Sequence, residues 1–134
     1  MRTIDWALAV PILAAAPKVV AAWAFGSAQA GQVRKGGDLD IAVLVTAQLS
    51  FEELTDLVGA LQTVFHFEAV DLVPLTDASS PILRFEAVSG RLLFCRDANR
   101  RAAFVSLAAR EYEHAMAMMR RAWDALTPAQ ATGL

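Results

Sequence analysis

Val19-Val20-Ala21-Ala22-Trp23-Ala24-Phe25-Gly26-Ser27 and, ten residues later, Asp38-Leu39-Asp40-Ile41-Ala42-Val43-Leu44-Val45 form the stretch that decides the fold. The first run is short, apolar and bounded by Pro17 and Gly26, as expected of a buried central strand. The second reads as another strand, 38–45, with carboxylates at its mouth. Side chains alternate across a strand, so Asp38 and Asp40 share one face and Leu39 points to the other. Two carboxylates held that close repel each other unless a cation neutralises them. Mg²⁺ suits such a pair, because it is commonly shared between a few carboxylates and substrate phosphates. Between the strands, Gly26 permits a close backbone approach, and N–H groups at a helix start attract phosphate oxygens. The Ser27 hydroxyl can add a hydrogen bond to a triphosphate. Residues 28–32 are expected to make a short helical turn and 33–37 a loop.

Working outward, 68–74 reads as a third strand stopped by Pro74, with Asp71 inside Val70-Asp71-Leu72-Val73. A charge in an apolar strand is costly to bury unless paired or metal-bound. If this strand neighbours the Asp38 strand, Asp71 joins the other two carboxylates; on an edge strand it faces solvent. Ser50 and Glu53 form a capping-box pattern opening a helix whose apolar face carries Leu54, Leu57, Val58, Leu61 and Val64. A short helix is expected over 79–88, with Pro81 near its start and Gly90 past its end, then an edge strand at 92–95. Residues 98–126 read as one long helix, and the tail 127–134 as frayed. At the other end, Thr3 is expected to cap a helix from near Ile4, broken at Pro11.

A chain of 134 residues fits one domain, 1–134. The net charge of −2 gives no global field for polyanions, so direct nucleic-acid binding is not expected. Cys95 is the only cysteine and reads as a small packed hydrophobe. The apolar stretch 7–16 resembles a signal-peptide core, but Asp5 and Pro11 interrupt the pattern, and no membrane span is expected. The cytoplasm is the expected location. Hydrophobic residues at 56% exceed the usual range, which suggests a surface covered by a partner. His66 is assigned a packed or capping role and His114 a solvent-facing one. Met116, Met118 and Met119 are assigned to core packing, and Arg96, Arg100 and Arg101 to a solvated face.

Taken together, a strand ending in Gly26-Ser27, ten intervening residues, Asp38-x-Asp40 opening a second strand and Asp71 in a third resemble the DNA polymerase β-type nucleotidyltransferase superfamily. The small size and the Val70–Leu75 stretch followed by Ser80-Pro81-Ile82-Leu83 make the chain similar to the minimal nucleotidyltransferase (MNT) antitoxins. That resemblance implies an α+β, polymerase β palm-like fold: a small mixed sheet packed against helices, with a long C-terminal helix. It implies that Gly26 and Ser27 hold the triphosphate of ATP, and that Asp38, Asp40 and Asp71 ligate Mg²⁺ and carry catalysis. The implied partner is a helical HEPN toxin, in a hetero-oligomer, whose hydroxyl (a tyrosine) receives AMP. Two departures stand out: Ala28-Gln29 where many relatives have Arg-Ala, and Gly37 where many have Ser. They leave an antitoxin acting by binding alone as the alternative, with a small-molecule nucleotidyltransferase ranked last.

Overall fold

The computed structural model describes residues 1–76 and 78–126, so the expectation for the tail 127–134 lies outside the described residues. The run 19–25 forms strand β2 (Val19–Phe25), buried at every position. Two further strands flank it, β4 (Leu39–Val45) and β6 (Arg91–Cys95), both antiparallel to it. Strand β5 (Val70–Leu75) lies parallel to β4 on its far side, giving the order β5-β4-β2-β6. A strand without polar side chains belongs in the middle of such a sheet, because both of its faces must be covered. The parallel pair needs a crossover, supplied by helix α2 (Phe51–Phe65). A separate two-stranded ribbon joins β1 (Arg2–Thr3) and β3 (Gln32–Val33). The fold is thus α+β with a mixed sheet, as expected.

Alternation along the strands sorts the core into two layers. Ala22, Ala24, Leu39, Ile41 and Val43 pack with Trp6, Leu13, Leu57, Leu61 and Phe65 on one face. Ala21, Trp23, Phe25, Ala42 and Leu75 pack on the other with Ala87, Val88 and Ala108. The latter three belong to α3 (Pro81–Val88) and α4 (Ala98–Leu126). Asp40 has the parity of Ala42, so it projects toward the α3/α4 side. Arg84 of α3 is buried and pairs with Glu111 of α4. Its Nε has no hydrogen-bond partner among the described residues.

Gly90, at the end of α3, lies so close to β2 that an added Cβ would collide with the Ala24 carbonyl oxygen and approach Phe25 Cβ to 3.1 Å. Both neighbours belong to the central strand, so neither can yield cheaply. Gly90→Ala is expected to destabilise the protein by about 1–3 kcal/mol, the usual overpacking penalty, read as a lower urea midpoint at unchanged slope.

The capping box at α2 is complete: Ser50 Oγ accepts from Glu53 N (3.0 Å) and Glu53 Oε1 accepts from Ser50 N (2.9 Å). Lys18 Nζ donates to the same Glu53 oxygen at 2.7 Å. The hydrogen bond from Lys18, and then that from the Ser50 backbone, holds the Glu53 carboxyl down to about 2 from an ordinary 4.5. A carboxyl depressed in the folded state stabilises it above the unfolded value and loses that contribution as pH falls toward the folded one. Glu53→Gln is therefore expected to flatten the fall in Tm between pH 4.5 and about 2, measured by circular dichroism.

Several local expectations are corrected. No helix starts at Thr3, which lies in β1; Asp5 instead caps a 3₁₀ turn at Trp6–Ala9. Pro11 does not break a helix but sits in the first turn of α1 (Val10–Ala15), where its missing N–H costs nothing. Residues 27–30 make turns rather than a helical segment. Strand β5 continues through Pro74, which an edge strand tolerates. His66 caps α2 in the left-handed conformation at φ 50°.

Arg96 is tied down rather than simply solvated. It donates to the carbonyls of Val19 (3.0 Å), Ala14 (2.8 Å) and Ala16 (3.2 Å). Met118 and Met119 are exposed, at 53% and 55%, because the second half of α4 runs past the domain it packs on. None of the described helices is long and apolar enough to cross a membrane.

Candidate active site

Strand pairing gathers the acidic residues. Because β2 and β4 are antiparallel, the last residue of β2, Phe25, lies opposite Asp40 near the start of β4. The Gly26-Ser27 turn therefore emerges beside that carboxylate. Because β4 and β5 are parallel and in register, Asp71 lies directly opposite Asp40. Asp38 precedes β4 by one residue, and like Asp71 it is exposed, whereas Asp40 is half-buried. Burial raises the Asp40 carboxyl above its ordinary value, and the charges of Asp71, Asp38 and Glu86 push it further the same way. Ionising Asp40 is therefore costly in the folded chain.

The turn is built to touch it. Gly26 has φ +73°, and an added Cβ would collide with Asp40 Oδ2 and lie 3.3 Å from its Cγ. Glycine meets both demands, an unusual backbone and a close approach. A 3.4 Å bond from Gln29 N to Gly26 O and a 2.9 Å bond from Gly31 N to Ala28 O fold the following residues back. Ala28 is fully buried and its carbonyl accepts from Trp6 Nε1 at 3.3 Å. Position 28 is thus part of the core packing.

The donor set fits a hard divalent ion. It is all oxygen, and the carboxylate repulsion that adds to burial in raising Asp40 is what a cation would relieve. Among the described residues, no group of three or more histidine, cysteine, aspartate or glutamate side chains is placed to hold a metal ion by itself. Mg²⁺ rarely uses a dedicated protein cage and takes substrate phosphate oxygens alongside one or two carboxylates. An open arrangement at a strand mouth is compatible with that habit.

Glu86 was not singled out from the sequence. It lies on α3, and its proximity to Asp40 follows from α3 packing across the sheet face that carries the aspartates. Its helical position gives no local sign of this, since the two residues belong to elements that meet only in the folded chain.

The profile of the polymerase β nucleotidyltransferase family matches residues 9–99. Among solved structures, a chain of a toxin–antitoxin complex with AMP-PNP is 24% identical, with TM-score 0.73, over 92% of this chain and 98% of that one. A chain of a mutant MntA–HpeT toxin–antitoxin is 26% identical, with TM-score 0.68, over 87% and 93%. A chain of the tri-AMPylated Shewanella oneidensis HEPN toxin in complex with MNT antitoxin is 24% identical, with TM-score 0.64, over 87% and 91%. Among curated proteins, no significant match is found.

Proposed function

The chain belongs to the polymerase β nucleotidyltransferase family, and from that premise we propose that it is a Mg²⁺-dependent adenylyltransferase acting as the antitoxin of a HEPN–MNT pair. It would move AMP from ATP to a hydroxyl, expected to be a tyrosine, of its helical toxin. The observation that carries this reading is the register that sets Asp71 opposite Asp40 beside the Gly26 turn. The likeness to chains of toxin–antitoxin complexes, one with an AMPylated toxin, supports the choice of acceptor.

In this reading the acceptor oxygen forms a bond to the α-phosphorus while the bond from that phosphorus to the β-phosphate oxygen breaks. Pyrophosphate leaves, and the hydroxyl proton passes to Asp71, the exposed carboxylate on the edge strand. The Gly26 turn and the Ser27 hydroxyl grip the departing phosphates. Asp38 and Asp40 would hold Mg²⁺, with Asp71 completing the set. When bound, the ion supplies charge that stabilises both the attacking and the leaving oxygens.

Incubation with α-labelled ATP, Mg²⁺ and the toxin is expected to label the toxin, and Asp38→Asn to abolish labelling with the fold intact by circular dichroism. Labelling that persists in that variant excludes the assigned metal site.

A second reading, neutralisation by binding alone, is favoured by the apolar end of α4. Met118, Met119, Trp123 and Leu126 are 53%, 55%, 66% and 80% exposed, more than a solvated helix end requires. Toxin neutralisation that survives Asp38→Asn together with Asp40→Asn would establish it over the enzyme.

A further inference from the structure

A cleft of about 370 Å³ opens between Gln29, two residues beyond Ser27, and the helices α3 and α4, lined also by Ile82, Phe85, Glu86, Ser89 and Tyr112. Its volume is in the range of small-ligand sites, roughly 300–1,000 Å³. One wall is a rigid aromatic pair: the Phe85 and Tyr112 rings stack at 4.2 Å between centroids and 18° between planes. Ile82 adds apolar surface that is 42% exposed. Gln29 comes from the turn itself, and Glu86 is close enough to bear on the Asp40 carboxyl. No lysine or arginine lines the cleft, and a carboxylate does, so phosphates are repelled from it.

In-line transfer fixes where the rest of the nucleotide must go. The leaving pyrophosphate points to the Gly26-Ser27 turn, and the attacking hydroxyl comes from the opposite side, toward β5. The retained bond from the α-phosphorus to the ribose oxygen then lies roughly perpendicular to that axis. The aspartates project from the sheet face covered by α3 and α4, so the open direction from the α-phosphorus leads to those helices. We infer that this cleft is the nucleobase subsite, with Glu86 accepting a hydrogen bond from the exocyclic amino group of the base and the Phe85–Tyr112 wall supporting its ring. The inference rests on the nucleotidyltransferase reading above and assigns it a selective element.

Titration calorimetry with Mg²⁺ and three probes tests it: AMP-PNP, the same analogue built on purine riboside (which lacks the 6-amino group), and inorganic tripolyphosphate. Wild-type protein is expected to prefer AMP-PNP over the amino-free analogue by about tenfold or more, the usual worth of a hydrogen bond to a charged group. Glu86→Met, at an exposed helix position, is expected to reduce that ratio to near one and to leave tripolyphosphate binding no weaker, since removing the Glu86 charge eases ionisation of Asp40. A wild-type ratio near one, or a ratio that survives Glu86→Met, overturns the subsite while tripolyphosphate binding leaves the phosphate site standing. Unchanged nucleotide binding with a raised KM for the toxin also overturns it, because the cleft then serves the acceptor. Absence of binding by all three probes removes the phosphate site and this inference together.

Discussion

Asp40→Asn is expected to lower AMP transfer by about 10²–10³-fold or more, the range found when a group facing developing charge is removed. The same change is expected to raise the Tm of the metal-free protein. Burial and three neighbouring carboxylates lift the Asp40 carboxyl above its ordinary value. A carboxyl raised on folding binds its proton more tightly in the folded state, so its ionisation opposes folding once the pH exceeds the unfolded value. An amide of the same shape carries no charge and escapes that penalty. Mg²⁺ is expected to raise the Tm of the wild type by mass action and to raise that of Asp40→Asn much less. Thermal scans at neutral pH with and without Mg²⁺ check both signs. If the variant is less stable than the wild type without metal, the crowding of carboxylates at this strand mouth has been misjudged.

Gly26→Ala is the second large effect. At φ +73°, any residue other than glycine is strained by about 1–3 kcal/mol, and the methyl group would also drive into Asp40 Oδ2. The carboxylate must swing aside or the turn must move, and either displaces the phosphates relative to the acidic group. A shift on the order of 1 Å costs about 10²-fold in rate when reacting atoms must be aligned. Transfer is expected to fall by at least that factor, with Tm lowered. Ser27→Ala, which removes one hydroxyl at an exposed position, is expected to be much milder. Equal losses in the two variants would assign the turn a role other than the close approach of Gly26 to Asp40.

The elements legible in the chain were those whose signals are local. The apolar run ending at Gly26, the strand that opens beside Asp38, the Ser50–Glu53 box and the long amphipathic run from Ala98 all became the expected elements, with Asp38 itself one residue outside its strand. Misreadings came where two local signals competed. Thr3 and Asp5 are both good caps, and the chain used Asp5 because residues 2–3 pair with Gln32–Val33. Arg96 looked like one of several surface cations, yet carbonyls exposed at the end of α1 and the start of β2 gave it partners distant in sequence. Met119 keeps the helical spacing of a buried stripe but is 55% exposed, because spacing alone does not say how far along α4 the core extends.

By itself the sequence determined a strand that opens at two closely spaced carboxylates, the glycine-serine turn ahead of them and the family to which that spacing belongs. These follow from backbone periodicity and from the conformations glycine alone takes readily, and neither needs knowledge of distant residues. The tertiary structure alone decided that Asp71 sits opposite Asp40 and that Glu86 approaches the same group. Strand order and helix docking depend on how buried faces fit across the whole core, a property no local window of the chain contains.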